Sequence, residues 1–118
     1  LVHHRRLDRW LQPGGHIDPE DDSPMAAAAR EVLEETDINT EPIHGGLIDF
    51  DIHPIPPRLP EPAHEHFDLR FGFRALEVHV IADEEVNDAV WAPWSYLERF
   101  AVDDSVIRGA ERLRRAYS

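Results

Sequence analysis

The chain has 118 residues, 42% of them hydrophobic, with 24 acidic and 12 basic side chains, a formal net charge of −12, eight histidines and no cysteine. This length fits one domain with one core, and the lack of cysteine excludes disulfides, a cysteinyl zinc site and a cysteine nucleophile, which suits a reducing cytoplasm. No apolar run reaches the roughly 18 residues of a membrane span, the opening LVHHRRLDRW holds no signal-peptide-like stretch, and so anionic a surface repels nucleic acid. A small phosphorylated ligand stays open, because a divalent cation bridges two sets of anions.

Leu1-Val2 reads as the end of a strand before the polar His3-His4-Arg5-Arg6, so an upstream N-terminal strand is expected to be missing from the segment. Trp10-Leu11-Gln12 reads as a short strand entering the turn Pro13-Gly14-Gly15. Pro19 to Asp22 is an acidic loop. Ser23 then offers an N-cap and Pro24 a first helical residue, and the alanines, Leu33 and glutamates that follow predict a helix over Pro24–Thr36. Asp37 stands where a helix often ends in Gly.

Ile48, Phe50 and Ile52 alternate with Asp49, Asp51 and His53, the pattern of a half-buried strand. Pro54 to Pro62 holds five prolines and reads as irregular loop. A second alternating strand sets Phe67, Leu69, Phe71 and Phe73 against His66, Asp68, Arg70 and Arg74. Short strands are expected at Val78 to Ile81 and Val90 to Ala92, with acidic loop from Asp83 to Asp88 between them. Ser95 to Phe100 and Ser105 to Tyr117 read as helices, the second with Val106, Ala110 and Leu113 at helical spacing and arginines in its last turns. Strands and helices thus intermix as an α/β sandwich, and no GxGxxG or GxxxxGK[ST] pattern marks a dinucleotide site or P-loop.

Each helical residue turns the side-chain direction by about 100°. Glu31, Glu34 and Glu35 therefore share one arc, and Met25, Ala29, Val32, Leu33 and Thr36 fall opposite, ready to pack on a sheet. Ala27 and Ala28 lie on the acidic arc, where small side chains leave room for a ligand. Like charges at this spacing repel by a few tenths of a kcal/mol. A hard divalent cation such as Mg²⁺ reverses that repulsion, since it takes carboxylate oxygens and shares them with phosphates. A solvated acidic face is the competing reading.

The stretch from Gly14-Gly15-His16 through Arg30-Glu31-Val32-Leu33-Glu34-Glu35 to Ile38 resembles the Nudix box, whose core REUXEE (U, a bulky aliphatic) is matched in full by Arg30 to Glu35. The approach WLQPGGH, Trp10 to His16, is similar to that family's as well. Three positions depart from the pattern. Counted back from Arg30, the family's earlier Glu falls on Asp22; the spacing from Gly15 to Arg30 is one residue longer; and the late Gly is Asp37, which strains the helix end.

The resemblance implies a Nudix-like α/β/α sandwich with a mixed sheet and a loop-helix-loop catalytic motif, one domain over residues 1–118. It implies a metal site of Glu31, Glu34, Glu35 and the Gly14 carbonyl holding Mg²⁺ or Mn²⁺, the glutamates also supporting water activation. Arg30 is implied to orient an acidic side chain, and Glu85, with Glu84 as alternative, to supply a further acid from a later loop. The implied reaction is hydrolysis of a pyrophosphate bond in a nucleoside diphosphate derivative by a metal-activated water. A homodimer is compatible with the resemblance.

His64, His66, Asp68 and Arg70 alternate onto one polar face of an extended segment. Read functionally, this face is a substrate edge with Arg70 meeting phosphate, or a second metal site with His53; otherwise it is a wet strand face. Trp10, Trp91 and Trp94 are candidates to stack a nucleobase, with core or interface packing expected for at least two of them. Three functions remain in view: a Nudix hydrolase, a Nudix-fold module that senses a nucleotide without cleaving it, and a histidine-rich metal-binding protein unrelated to nucleotides.

Overall fold

Helix α1 (Pro24–Thr36) begins where its local chemistry dictates. Ser23 Oγ accepts the Ala26 backbone N–H at 3.0 Å, and Pro24, which has no N–H to satisfy, fills the first turn. The helix stops at Asp37, whose backbone is left-handed (φ 59°, ψ 27°) and whose N–H reaches the Leu33 carbonyl at 2.8 Å. The Ile81 N–H then satisfies the Thr36 carbonyl at 3.0 Å.

The computed structural model describes residues 1–5, 7–57, 60–82 and 86–117, without the side chains at positions 44, 45, 53 and 117. Among the described residues there are five strands: β1 (Val2–His4), β2 (Arg9–Leu11), β3 (Thr40–Ile55), β4 (His64–Ala75) and β5 (Val86–Ala89). They form a three-stranded sheet in the order β2-β1-β5 and a two-stranded sheet of β3 and β4, and every pairing among the described residues is antiparallel. A 3₁₀ helix, Trp94–Phe100, and helix α2 (Asp104–Tyr117) follow. No helix among the described residues is long and apolar enough to cross a membrane.

The β3–β4 hairpin lies between the two α-helices. On one face, a Cβ added at Gly46 would meet Met25 Sδ of α1 at 2.9 Å and Phe71 at 3.8 Å. On the other, a Cβ at Gly72 would lie 2.6 Å from Leu113 Cδ1 of α2, and one at Gly109 of α2 would lie 2.9 Å from Arg70 Cδ. Glycine at these positions lets helix and sheet approach closely. The result is the helix–sheet–helix layering of an α/β sandwich.

The faces of this hairpin reverse the simple alternation rule. Asp49 and Arg70 are 2% and 9% exposed, whereas Phe50, Ile52, Phe67 and Leu69 are 38–58% exposed. The polar side is covered because α2 lays Arg108 and Arg112, one turn apart, over it. Arg70 Nη1 and Arg108 Nη2 donate to Asp49 Oδ2 at 3.0 and 2.9 Å, Arg112 Nη1 donates to Oδ1, and Arg108 also pairs with Asp51 at 3.2 Å. Burial alone would push the Asp49 carboxyl up; the hydrogen bonds and charges of Arg108, Arg112 and Arg70 reverse that and hold it below the ordinary carboxylate range. The strand is also irregular. A register shift between Leu47 and Asp49 brings Ile48 to the Gly72 side, off the face it would share with Phe50.

Several boundaries differ from those expected. β3 continues through Pro54 to Ile55, paired with Glu65 and His64, because a proline at a sheet edge need not donate to a neighbour. Val78 to Ile81 is not a strand; the Val78 carbonyl instead accepts the Trp91 Nε1–H at 2.7 Å. β5 takes Val86–Ala89, part of the expected acidic loop, and leaves Val90 to Ala92 outside it. Trp10 packs edge-on against His3 and Phe100, both at 5.2 Å. Trp91 and Trp94, by contrast, are 56% and 47% exposed, so only Trp10 of the three is packed as expected.

Two outcomes follow for stability. A carboxylate held below its unfolded pKa of about 3.9 stabilises the fold above that pH, and the share is lost as pH falls through the lower folded value. Asp49→Asn leaves buried Arg70 without its counter-charge and is expected to lose about 3 kcal/mol in urea unfolding near neutrality. The gap to the parent should narrow below about pH 4; a gap of constant size would refute the assignment. Asp37→Gly relieves the left-handed cap and is expected to gain up to about 1 kcal/mol, read as a melting temperature raised by a few degrees.

Candidate active site

Glu31, Glu34 and Glu35 project from one arc of α1 into unlike surroundings. The Glu31 side chain is 16% exposed and that of Glu34 53%, while Glu35 is half-buried with Oε2 out of solvent. Ala27, one turn ahead of Glu31, is buried, so the space expected beside it is filled by packing.

Arg30 organises the acidic groups. Its Nε and Nη2 grip Asp21 Oδ1 and Oδ2 at 2.9 and 3.0 Å, fork on fork. Its Nη1 reaches Glu31 Oε1 at 3.0 Å and both Glu34 oxygens at 3.2 Å, and Nη2 also donates to the His16 carbonyl at 3.1 Å. Asp18 adds an ion pair at 3.4 Å. The Arg30 hydrogen bonds hold the Asp21 carboxyl below its ordinary value, and Asp21 in turn raises the guanidinium further above its own. Arg30 thus pairs with Asp21 and not with Asp22, which is exposed. Counting forward from Gly15 reaches Asp21, whereas counting back from Arg30 reaches Asp22; the extra residue therefore lies between Asp21 and Arg30.

The glycine turn meets the helix directly. A Cβ at Gly15 would come within 2.6 Å of Glu31 Oε1 and 2.7 Å of its carboxyl carbon. Only a residue without a side chain lets this backbone sit against the Glu31 carboxylate. Beyond it, the His16 ring is 6.1 Å from that of His66, and His66 Nδ1 is 3.7 Å from Asp68 Oδ1. His64 is exposed, its Nδ1 within 3.0 Å of the Pro62 carbonyl.

Arg70 does not join this edge. Its Nε, Nη1 and Nη2 bind Gln12 Oε1, Asp49 Oδ2 and Ser105 Oγ at 3.2, 3.0 and 2.7 Å, so the guanidinium expected to meet phosphate points into the sandwich. A shallow cleft of about 210 Å³ between Trp94–Phe100 and α2 contains none of the candidate carboxylates.

A model of the NUDIX domain matches residues 1–111. The chain belongs to the Nudix family. No curated protein matches it in sequence. The family supports a pyrophosphohydrolase in general terms, acting on nucleoside diphosphate derivatives with divalent metal ions.

The donor set of this Nudix domain suits a hard cation in chemistry: carboxylates at Glu31, Glu34 and Glu35, with the Gly15 backbone closing on Glu31, while a Cβ at Gly14 would meet nothing within 4 Å. Among the described residues, no three acidic or histidine side chains converge into a ready cage. Arg30 instead neutralises Glu31 and Glu34. Glu84 and Glu85 lie outside the described residues, as does the His53 side chain of the suggested second metal site. Asp21 and His16 were not singled out from the sequence. The forward count from Gly15 is the signal that finds Asp21, and the place of His16 directly after the glycine pair is the signal for His16.

Gly15→Ala tests the contact. The methyl would displace the Glu31 carboxylate, which is the movable end of a flexible chain, so the metal-free protein should melt close to the parent. Mn²⁺ affinity by calorimetric titration is expected to fall about tenfold; unchanged affinity would separate Gly15 from the ion site.

Proposed function

We propose that this Nudix domain hydrolyses the pyrophosphate bond of a nucleoside diphosphate derivative in a reaction that depends on Mg²⁺ or Mn²⁺. The observation that carries the reading is the seating of the Gly15 backbone on Glu31 while Arg30 ties Glu31 and Glu34 to Asp21. Glu31, Glu34, Glu35 and the Gly14 carbonyl would hold the ion, and Glu85 would add a carboxylate from the segment just before β5. When bound, the ion supplies Lewis-acid polarisation of the phosphoryl oxygens and lowers the pKa of a water.

The chain's own groups do the rest. In a protein of net charge −12, phosphate approaches acidic side chains only where positive charge offsets them. Arg30 is held at that place by Asp21 and hydrogen-bonds Glu31 and Glu34. Glu35, partly shielded from solvent, is suited to accept a proton from the attacking water. His64, His66 and Asp68 on β4, with His16 facing His66, would form the edge that meets the substrate. Arg70 holds the sandwich beneath it.

Glu35→Gln tests the reading on a panel of nucleoside diphosphate derivatives with Mg²⁺ or Mn²⁺, by measuring phosphate-containing products. Metal-dependent turnover should fall at least about 100-fold, the upper end of what a metal site's outer partners contribute. Binding across the panel without turnover by the parent would instead mark a nucleotide sensor. A variant as active as the parent would sink the metal assignment.

A further inference from the structure

We infer that Arg70 and Gln12 form a positioning pair that sets the Gly14-Gly15 turn against Glu31, and so makes α2 a structural part of the ion site. The inference rests on the proposed reading of Glu31, Glu34 and Glu35 as cation ligands.

Arg70 is 9% exposed, and a buried guanidinium needs its charge balanced and its N–H groups bonded. Asp49 balances the charge and Ser105 takes Nη2. The Nε–H goes to a side chain 58 positions away in sequence, Gln12 Oε1, at 3.2 Å. Gln12 follows β2 directly and precedes Pro13, whose ring fixes its own φ and restricts Gln12 to extended backbone. Little slack is left between a tethered Gln12 and Gly14.

The other end of the turn is held independently. Arg30 Nη2 donates to the His16 carbonyl at 3.1 Å, so residues 12–16 hang between two guanidiniums. Arg30 ties the turn to α1. Arg70 ties it to β3 through Asp49 and to α2 through Ser105, and Asp49 is shared with Arg108 and Arg112 of α2. A shift of α2 is thereby transmitted to the backbone that touches Glu31.

The test compares Mn²⁺ affinity, read from the EPR signal of free Mn²⁺, with the melting temperature of the metal-free full chain. The variants are Gln12→Met, which keeps size and loses the acceptor; Gln12→Glu, which keeps the acceptor; Ser105→Ala, which removes a different Arg70 partner; and Glu35→Gln. Gln12→Met is expected to weaken Mn²⁺ binding about fivefold, with a fall in melting temperature no larger than that of Ser105→Ala. Gln12→Glu should retain affinity, and Ser105→Ala, which cuts Arg70 from α2, should lower both the affinity and the melting temperature. If Gln12→Met binds Mn²⁺ like the parent while Glu35→Gln binds it weakly, the positioning pair is overturned and the carboxylate reading stands. If Glu35→Gln also binds like the parent, the carboxylate reading fails and the inference falls with it.

Discussion

A carboxylate removed from water must be matched by charge and hydrogen bonds, or it would take up a proton or unfold its surroundings. Asp49 meets that demand with three arginines drawn from two elements, Arg70 on β4 and Arg108 and Arg112 on α2. Once that cluster forms, the polar face of the β3–β4 hairpin must point at α2. Gly72 and Gly109 then bring sheet and helix close. α1 is left the opposite face, which places the carboxylate helix on the far side of the sheet from the arginine cluster.

A second guanidinium plays the matching part at the surface. Arg30 gathers Asp18, Asp21, Glu31 and Glu34 around one positive charge. Four acids near one helix would otherwise repel each other and any phosphate. The two arginines differ in exposure and in consequence: Arg70 is locked inside and sets position, whereas Arg30 stays partly open and sets local charge. Between them runs the short turn of Gln12 to His16.

The alternation of β3 and β4 was legible as strand, but not as inside and outside. Period-two patterning says only that Asp49 and Phe50 face opposite ways. Which side is covered depends on what packs there, and arginines one turn apart on a distant helix are invisible to a local window. The same limit explains Asp21. Its distance from Arg30 along the chain does not show which of two adjacent aspartates the loop turns inward. Gln12 carries no sequence signal at all, since its partner is 58 positions away.

Local chemistry was sufficient elsewhere. Ser23-Pro24, the alanine run and Asp37 bound α1 because capping, backbone entropy and left-handed tolerance act within a few residues. The glycine pair and Arg30-Glu31-Val32-Leu33-Glu34-Glu35 carried the family, since its box sets acids at fixed helical spacing after a glycine turn. The sequence by itself therefore determined the helix, its acidic arc and the Nudix membership. Only the tertiary structure decided which strand face is buried, which aspartate holds Arg30 and that Arg70 serves the interior. Those choices depend on burial and charge matching between residues far apart in the chain, which no local pattern encodes.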